Sequence, residues 1–286
     1  MRIVGSMTTI PDRIFDIEKV IDSILNQSRP LDCLYLNIPV KSLKGIEYKI
    51  PDWVSKKKNL ILNRCDEDYG PITKLLPVLD KETDPDTYIT TFDDDRILHK
   101  DVVRIIESYI NKYPDCVFSF SGWNTGSFPF YFERCDDNEE DQDVDWVQGC
   151  HSITYPRKVL NKNKLKYVSP IMPSFMERHD DHQISSYLEK NKIRKISIGK
   201  NAEQYFEADP CCEINAISGG NSWVRKLEFF SQVVYLGYYF RSKGLYYRSY
   251  GRASRTSTFK TVVVFCVFFL IVLPAIVFKK IFSFSI

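Results

Sequence analysis

The chain of 286 residues lacks several signals that would assign a class at once. None of its eight cysteines forms a CxxC pair or has zinc-finger spacing to a histidine, so no structural zinc site is predicted. No segment repeats at a fixed period, which argues against solenoids and propellers. The amino terminus meets Pro11 and Asp12 after a short apolar run, so no secretory signal peptide is predicted. The cysteines are therefore expected to be reduced, structural thiols.

Acidic residues are absent from the last part of the chain. From Arg241 onward there are eight Lys or Arg and no Asp or Glu, whereas the first 240 residues carry 31 basic and 37 acidic residues. An acidic body with a basic tail does not favour nucleic-acid binding by the body.

Residues 261–278 form an uncharged apolar run. As a helix the run would span roughly 27 Å, close to the thickness of a bilayer core, and Pro274 is tolerated in such helices. The alternative is a buried core helix. Six basic residues precede the run from Arg241 onward and two follow it, which predicts a single-pass C-terminal membrane anchor and a cytosolic body. Residues 226–260, rich in aromatic and basic residues, are predicted to lie on anionic lipid or to pack against the body.

The body alternates between strand and helix patterns. Strands are predicted at residues 2–7, 33–38, 59–63, 87–92, 117–120 and 194–198, and helices at residues 15–27, 73–79, 101–113 and 181–192. Such alternation predicts an α/β domain with a mostly parallel sheet. The acidic segment 133–145 is expected to be a solvated surface loop, with a lid over a site as the alternative.

Three consecutive aspartates, Asp93, Asp94 and Asp95, follow the predicted strand 87–92. Open parallel sheets bind ligands at the carboxyl ends of their strands. Alternation along an extended chain lets Asp93 and Asp95 face one site. Clustered carboxylates suit Mg²⁺ or Mn²⁺, which leaves coordination positions for phosphate oxygens. The pattern therefore indicates a metal–diphosphate site, with an exposed acidic turn as the alternative.

A hydrophobic strand followed by D-x-D resembles the nucleotide-sugar site of GT-A fold glycosyltransferases. Four further segments resemble the same family in the same order: "SMTTIPDR" (6–13), "DYGPITKL" (68–75), "WVQGCHSITYPR" (146–157) and "HDDHQIS" (179–185). The resemblance covers residues 1–199 and is nearest to small sugar transferases of large DNA viruses and bacteria. It implies a Rossmann-like GT-A domain over residues 1–225.

The resemblance also implies roles for individual residues. Contacts to the nucleotide and its phosphates fall to Thr8, Thr9, Arg13, Lys74, Asp93 and Asp94. Asp93 and Asp95 would hold Mn²⁺ or Mg²⁺, and Asp181, with its neighbour Asp180, matches the position of the catalytic base of inverting members. Both acids could instead cap the helix that they open.

One departure from the family concerns the metal. Many members supply a third ligand from a C-terminal histidine, and here no histidine follows residue 182. Water, Asp209, Glu207 or Glu203 is expected in its place. Further candidates for sugar or acceptor contacts, each equally consistent with a structural role, are His151, His179, Trp123, Asn124 and Trp146.

The resulting prediction is a metal-dependent glycosyltransferase that moves a sugar from a nucleotide sugar, expected to be UDP-linked, to a hydroxyl. An available aspartate base favours inversion. The acceptor is a glycan, a lipid-linked molecule or a protein. The alternatives are a metal-dependent nucleotidyltransferase or phosphohydrolase, and a non-catalytic membrane adaptor that kept the fold.

Overall fold

The structure is a computed structural model that describes residues 1–125, 132–135, 141–168, 179–199 and 202–209. The chain divides into two compact units, Met1–Trp123 with Arg134–Ala216, and Asn124–Glu133 with Ile217–Ile286. Of the second unit, only residues 124–125 and 132–133 are described, and they lie in strands. The predicted segments 226–260 and 261–278 lie outside the described residues. Within the described ranges, none of the helices has the length and apolar character needed to cross a bilayer.

The first unit contains four α-helices and an eight-stranded sheet among its described residues. The strands among the described residues are β1 Arg2–Thr8, β2 Cys33–Pro39, β3 Leu60–Cys65, β4 Thr87–Thr91, β5 Arg96–Leu98, β6 Val117–Ser119, β7 Gly122–Thr125, β8 Phe132–Arg134, β9 Gln142–Asp143, β10 Trp146–Val147, β11 Ile153–Pro156, β12 Lys195–Ser197 and β13 Phe206–Ala208. The helices are α1 Glu18–Leu25, α2 Val102–Lys112, α3 Lys162–Val168 and α4 Asp180–Lys190.

The order of strands in the large sheet is β3-β2-β1-β4-β11-β6-β12-β9. Strands β3, β2, β1 and β4 run parallel to one another, and β12 is parallel to β6. β11 runs antiparallel between β4 and β6, and the hydroxyls of Thr90 and Thr154 lie 3.0 Å apart across the β4–β11 pair. The predicted α/β class with a parallel-rich sheet is confirmed.

Alternation along the inner strands produces two separate cores. Ile3 and Leu34 point into one cluster, and their neighbours Val4 and Tyr35 point into the other, as the two-residue period of a strand requires. The first core also receives the apolar faces of α1 and α2, and the second receives one face of α4. The central strands are therefore buried on both faces, which explains their continuous apolar sequences.

Several element predictions need correction. The predicted helix 73–79 is two short 3₁₀ turns, Gly70–Lys74 and Pro77–Asp80, because Pro77 has no N–H to continue an α-helix. The predicted helix 15–27 begins at Glu18, after backbone turns in which Arg13 N bonds Ile10 O. The acidic segment 133–145 is more than a loop, since it contains β9. β9 is a half-buried strand at the edge of the sheet, where apolar alternation is not needed, so no sequence pattern predicted it.

A candidate active site at the carboxyl edge of the sheet

Three chain segments meet at one edge of the sheet. β1 and β4 are parallel neighbours in which Ser6 pairs with Thr91, so the residues after both strands emerge side by side. β11 is antiparallel to β4, with Ile153 opposite Thr91, so the residues before β11 lie at the same edge. The edge thus collects the loop after β1, the aspartates after β4 and the 3₁₀ turn Gly149–His151.

Asp94 connects the end of β4 to the loop after β1. Its carboxylate accepts hydrogen bonds from Thr9 Oγ1 and from Arg13 Nη1, each at 2.5 Å. The side chains of Arg13 and Asp94 are 5% and 12% exposed, so this ion pair is largely shielded from water. Burial raises the pKa of Asp94, and the Arg13 guanidinium opposes that rise. Thr8 directs its hydroxyl to the carbonyl of Asn37 at 2.8 Å.

Four of the residues that the sequence assigned to the nucleotide therefore make contacts inside the protein. The contacts of Thr8, Thr9, Arg13 and Asp94 fix the shape of the loop after β1.

Lys74 lies between carboxylates. Its ammonium donates to Asp93 Oδ1 at 2.7 Å and lies 2.9 Å from Asp180 Oδ2. The lysine is buried, and Ser6 Oγ donates to its backbone carbonyl at 2.5 Å. Burial lowers the pKa of Lys74, but the carboxylates of Asp180 and Asp93 outweigh burial and hold it above its ordinary value. Burial alone would raise the pKa of Asp93, but Lys74 outweighs burial and holds that pKa below its ordinary value.

Asp180 and Asp181 open helix α4 but occupy different surroundings. Asp180 is buried beside Lys74, whereas Asp181 is partly exposed. The backbone N–H of Gly149 donates to Asp181 Oδ1 at 3.0 Å. Burial of the carboxyl group and the nearby charge of Asp180 raise the pKa of Asp181 to about 8. A carboxyl group with such a pKa exchanges protons near neutral pH.

Gly149 is required by this arrangement. A Cβ atom at this position would lie 2.8 Å from Asp181 Oδ1 and 3.1 Å from Lys74 Nζ. Any other residue would therefore have to displace one of the two charged groups. This role of Gly149 could not be predicted from local sequence patterns, because Gly149 is 32 residues from Asp181 and 75 from Lys74.

The charge of Asp95 is poorly compensated by its surroundings. Burial and the charges of Asp93 and Asp94 raise its pKa to about 6, and Arg96 Nε lies 4.0 Å away. Oxygen donors with unrelieved like charge fit a hard divalent cation such as Mg²⁺ or Mn²⁺. Within the described ranges, no three His, Cys, Asp or Glu side chains converge to hold a metal ion. Asp93 and Asp95 would therefore leave coordination positions to water and phosphate, as is usual for Mg²⁺.

The three candidates for a third metal ligand beside Asp93 and Asp95 have different surroundings. Strand β13 pairs with β5 and brings the Asp209 N–H to within 2.9 Å of the Asp95 carbonyl. Glu203 instead lies 3.8 Å from Arg96 and 3.5 Å from His151. Glu207 is exposed on β13. Of the three, Asp209 is the one that the backbone holds beside Asp95.

The remaining candidates pack beside the site. His151 is buried, with Nδ1 3.1 Å from Ser121 Oγ. Trp146 is buried, and its ring contacts the rings of His182 at 4.5 Å and Trp123 at 5.8 Å between centroids. His179 is buried against His182 at 6.1 Å. Asn124 belongs to the second unit. His151, His179 and Trp146 thus have packing roles, while Trp123 is half-buried.

No protein-family model and no curated protein matches the chain. Among solved structures, the chain is similar to crystal structures of S. aureus TarS. TarS 1–349 gives 14% identity and a TM-score of 0.45, over 85% of this chain and 74% of that chain. Its complex with UDP gives 13% identity and a TM-score of 0.46, over 83% of this chain and 65% of that chain. Its complex with UDP-GlcNAc gives 12% identity and a TM-score of 0.44, over 82% of this chain and 67% of that chain. At these values the likeness assigns neither activity nor substrate to this chain.

Proposed function

We propose that the chain is a metal-dependent glycosyltransferase with a GT-A fold. It would transfer a sugar from a nucleotide sugar, UDP-linked, to a hydroxyl acceptor with inversion at the anomeric carbon. One observation carries the proposal: a single edge of the sheet holds two acidic pairs, Asp93 with Asp95 and Asp180 with Asp181, on either side of the ammonium of Lys74. Glycosyl transfer needs both acidic pairs, one to stabilise the leaving diphosphate and one to remove the proton of the attacking hydroxyl.

The first pair would serve the donor. Asp93 and Asp95 would hold Mn²⁺ or Mg²⁺, which when bound stabilises the negative charge that builds on the leaving diphosphate. Burial and the charges of Asp93 and Asp94 raise the pKa of Asp95 to about 6, and a bound cation would offset that repulsion. The loop from Thr9 to Arg13 would receive the nucleoside, and its contacts to Asp94 hold that loop in place before the donor binds.

The second pair would serve the acceptor. The pKa of about 8 at Asp181 is matched to removing a proton from a hydroxyl near neutral pH. In an inverting transfer the hydroxyl attacks from the side opposite the leaving group, so base and diphosphate site must be separate. Asp181 belongs to α4 and the pair Asp93–Asp95 to the segment after β4, so the two groups enter the site from different elements, with the Lys74 ammonium between them.

For residues 261–278 the proposal is a single-pass membrane anchor, preceded by a lipid-contacting segment at residues 226–260, with the catalytic unit in the cytosol. A glycan, lipid-linked or protein acceptor would then be used at the membrane. The full chain is expected to resist extraction by alkaline carbonate, and protease added outside sealed cells should leave the body intact. Release by carbonate would contradict the anchor.

The function is tested by melting the full chain in detergent with a panel of nucleoside diphosphates, with and without Mn²⁺. A ligand that binds the folded state alone raises the melting temperature. We expect a Mn²⁺-dependent rise with UDP that is lost in Asp95→Asn and kept in Asp115→Asn, whose side chain is 74% exposed. Turnover of a UDP-sugar should release UDP. Release of pyrophosphate or inorganic phosphate would indicate the nucleotidyltransferase or phosphohydrolase, and cooperative melting without any nucleotide shift would indicate the adaptor.

A further inference from the structure

The two consecutive aspartates of α4 are not equivalent. Asp180 is 7% exposed and has Lys74 beside it, whereas Asp181 is partly exposed and is held by the Gly149 N–H. We propose that Lys74 and Asp180 are positioning residues behind Asp181, the base of the proposed reaction, and that Asp180 itself accepts no proton from the acceptor. This inference rests on the proposed transfer reaction and assigns a role to each charged group around the base.

Access separates the two carboxylates. A general base must come within hydrogen-bond distance of the proton that it removes. Neighbouring residues of a helix point about 100° apart, so Asp180 and Asp181 cannot face the same acceptor. Asp180 Oδ2 is directed at the buried Lys74 ammonium, 2.9 Å away, whereas Asp181 is the more exposed of the two residues.

Lys74 joins the two halves of the site. Its ammonium contacts Asp93 on the donor side and Asp180 on the base side, at 2.7 Å and 2.9 Å. The side chain is 5% exposed, and Ser6 of β1 holds its backbone carbonyl. The ammonium thus neutralises a buried carboxylate, that of Asp180, and a half-buried one, that of Asp93. Lys74 therefore has a role inside the protein, while the phosphate contact expected from the sequence stays a prediction.

The charged groups around Asp181 predict how each substitution should shift its pKa. The groups that face it are Asp180 on its own helix, Lys74 from the turn after β3, Asp93 after β4 and Tyr155 of β11. His151, on the same turn as Gly149, lies instead against Ser121 and Glu203. Removing the negative charge of Asp180 should lower the pKa of Asp181, and removing the positive charge of Lys74 should raise it.

The experiment uses the full chain and the fastest substrate among UDP-glucose, UDP-galactose and UDP-GlcNAc. Asp181→Asn should lower kcat by roughly 10³-fold or more, within the range for a lost general base, and keep the Mn²⁺–UDP melting shift. Asp180→Asn should lower kcat by about tenfold and move the rising limb of the pH–rate profile to lower pH. Lys74→Met should move that limb to higher pH.

Opposite shifts in two variants are not expected from loss of packing alone. If Lys74→Met does not fold, the shift of the pH–rate profile in Asp180→Asn decides whether the inference holds. The inference is overturned if Asp180→Asn is as inactive as Asp181→Asn at every pH, or if the Asp180→Asn profile stays where the wild-type profile lies. A wild type that turns over none of the three donors and shows no Mn²⁺–UDP shift overturns the proposed function, and this inference with it. A wild type that is active with unshifted variants overturns this inference alone.

Discussion

The backbone N–H of Gly149 donates a hydrogen bond to Asp181 Oδ1 at 3.0 Å. This contact connects the turn before β11 to the first turn of α4, two elements that are far apart in sequence. It also fixes one carboxylate oxygen of the proposed base. The geometry of the base therefore depends on a residue without a side chain.

Gly149→Ala should reduce transfer strongly. The added Cβ would lie 2.8 Å from Asp181 Oδ1 and 3.1 Å from Lys74 Nζ, so the base must move. A displacement of about 1 Å at a reacting group costs on the order of 100-fold in rate. Steady-state kinetics at saturating donor measures the loss, and the Mn²⁺–UDP melting shift should persist.

A matched control for that change is Gly45→Ala. Gly45 has a positive φ of 77° and no neighbour within 4 Å of its added Cβ, so the substitution costs about 1 kcal/mol in backbone strain without touching the site. Its kcat should equal that of the wild type. Equal losses of kcat in the two variants would mean that general destabilisation, rather than displacement of the base, explains the Gly149 result.

Arg13→Met should destabilise the fold more than an ordinary loss of an ion pair. Arg13 is buried and Asp94 is only 12% exposed, so the substitution leaves a largely shielded carboxylate without its cation, at a cost of about 3 kcal/mol in the free energy of unfolding. Arg104, 66% exposed and paired with Asp101, is the matched control, and Arg104→Met should cost less than about 0.5 kcal/mol. Urea unfolding monitored by fluorescence measures both. Similar costs would show that the Arg13–Asp94 pair is not a buried contact in solution.

The pKa of Asp181 predicts how stability depends on pH. Because its pKa is raised to about 8 from an ordinary value near 3.8, the folded state binds more protons than the unfolded state between those values. This contribution to stability is fully present below about pH 4 and is lost as pH rises through about 8. Asp181→Asn should remove it, so the variant should gain stability over the wild type as pH rises from 5 to 8. A constant difference between the two urea-unfolding curves would contradict the raised pKa.

Asp95→Asn should stabilise the metal-free protein while removing its response to Mn²⁺. At pH 8, well above the pKa of about 6, the ionised Asp95 is repelled by Asp93 and Asp94, and an amide relieves that repulsion. We expect a melting temperature a few degrees above the wild type in EDTA, about 1 kcal/mol, and no further rise with Mn²⁺ and UDP. A metal-free variant that melts below the wild type would mean that the Asp95 carboxylate is already compensated within the protein.

The sequence predicted those parts of the fold that depend on local patterns. Strands β1, β2 and β4 were found because apolar residues fill a short run that ends in a turn or a charge, and the aspartates were found because they follow β4 directly. The boundaries of α1 and the two 3₁₀ turns were missed, since the outcome there depends on Pro77 and on backbone bonds between neighbouring residues.

The contacts of the site were less predictable than its residues. Lys74, Asp180 and Asp181 were all proposed from the sequence as site residues, but the contacts of the lysine were not predicted, because a sequence shows a charge without showing what faces it. The pairing of Lys74 with Asp93 and Asp180 spans 19 and 106 residues, and the role of Gly149 depends on where β11 begins in the sheet. Such relationships are set by strand order, which no local pattern encodes.

The antiparallel placement of β11 beside β4 has a consequence for how mutations should be interpreted. The buried hydroxyls of Thr90 and Thr154 hold these two strands in one register, and that register sets where Gly149 lies relative to the segment that begins at Asp93. A slip by one residue would turn every side chain of β11 to the opposite face and carry the turn away from the lysine. Substitutions in the interior of the sheet can therefore abolish turnover while every residue that would meet the substrate is unchanged.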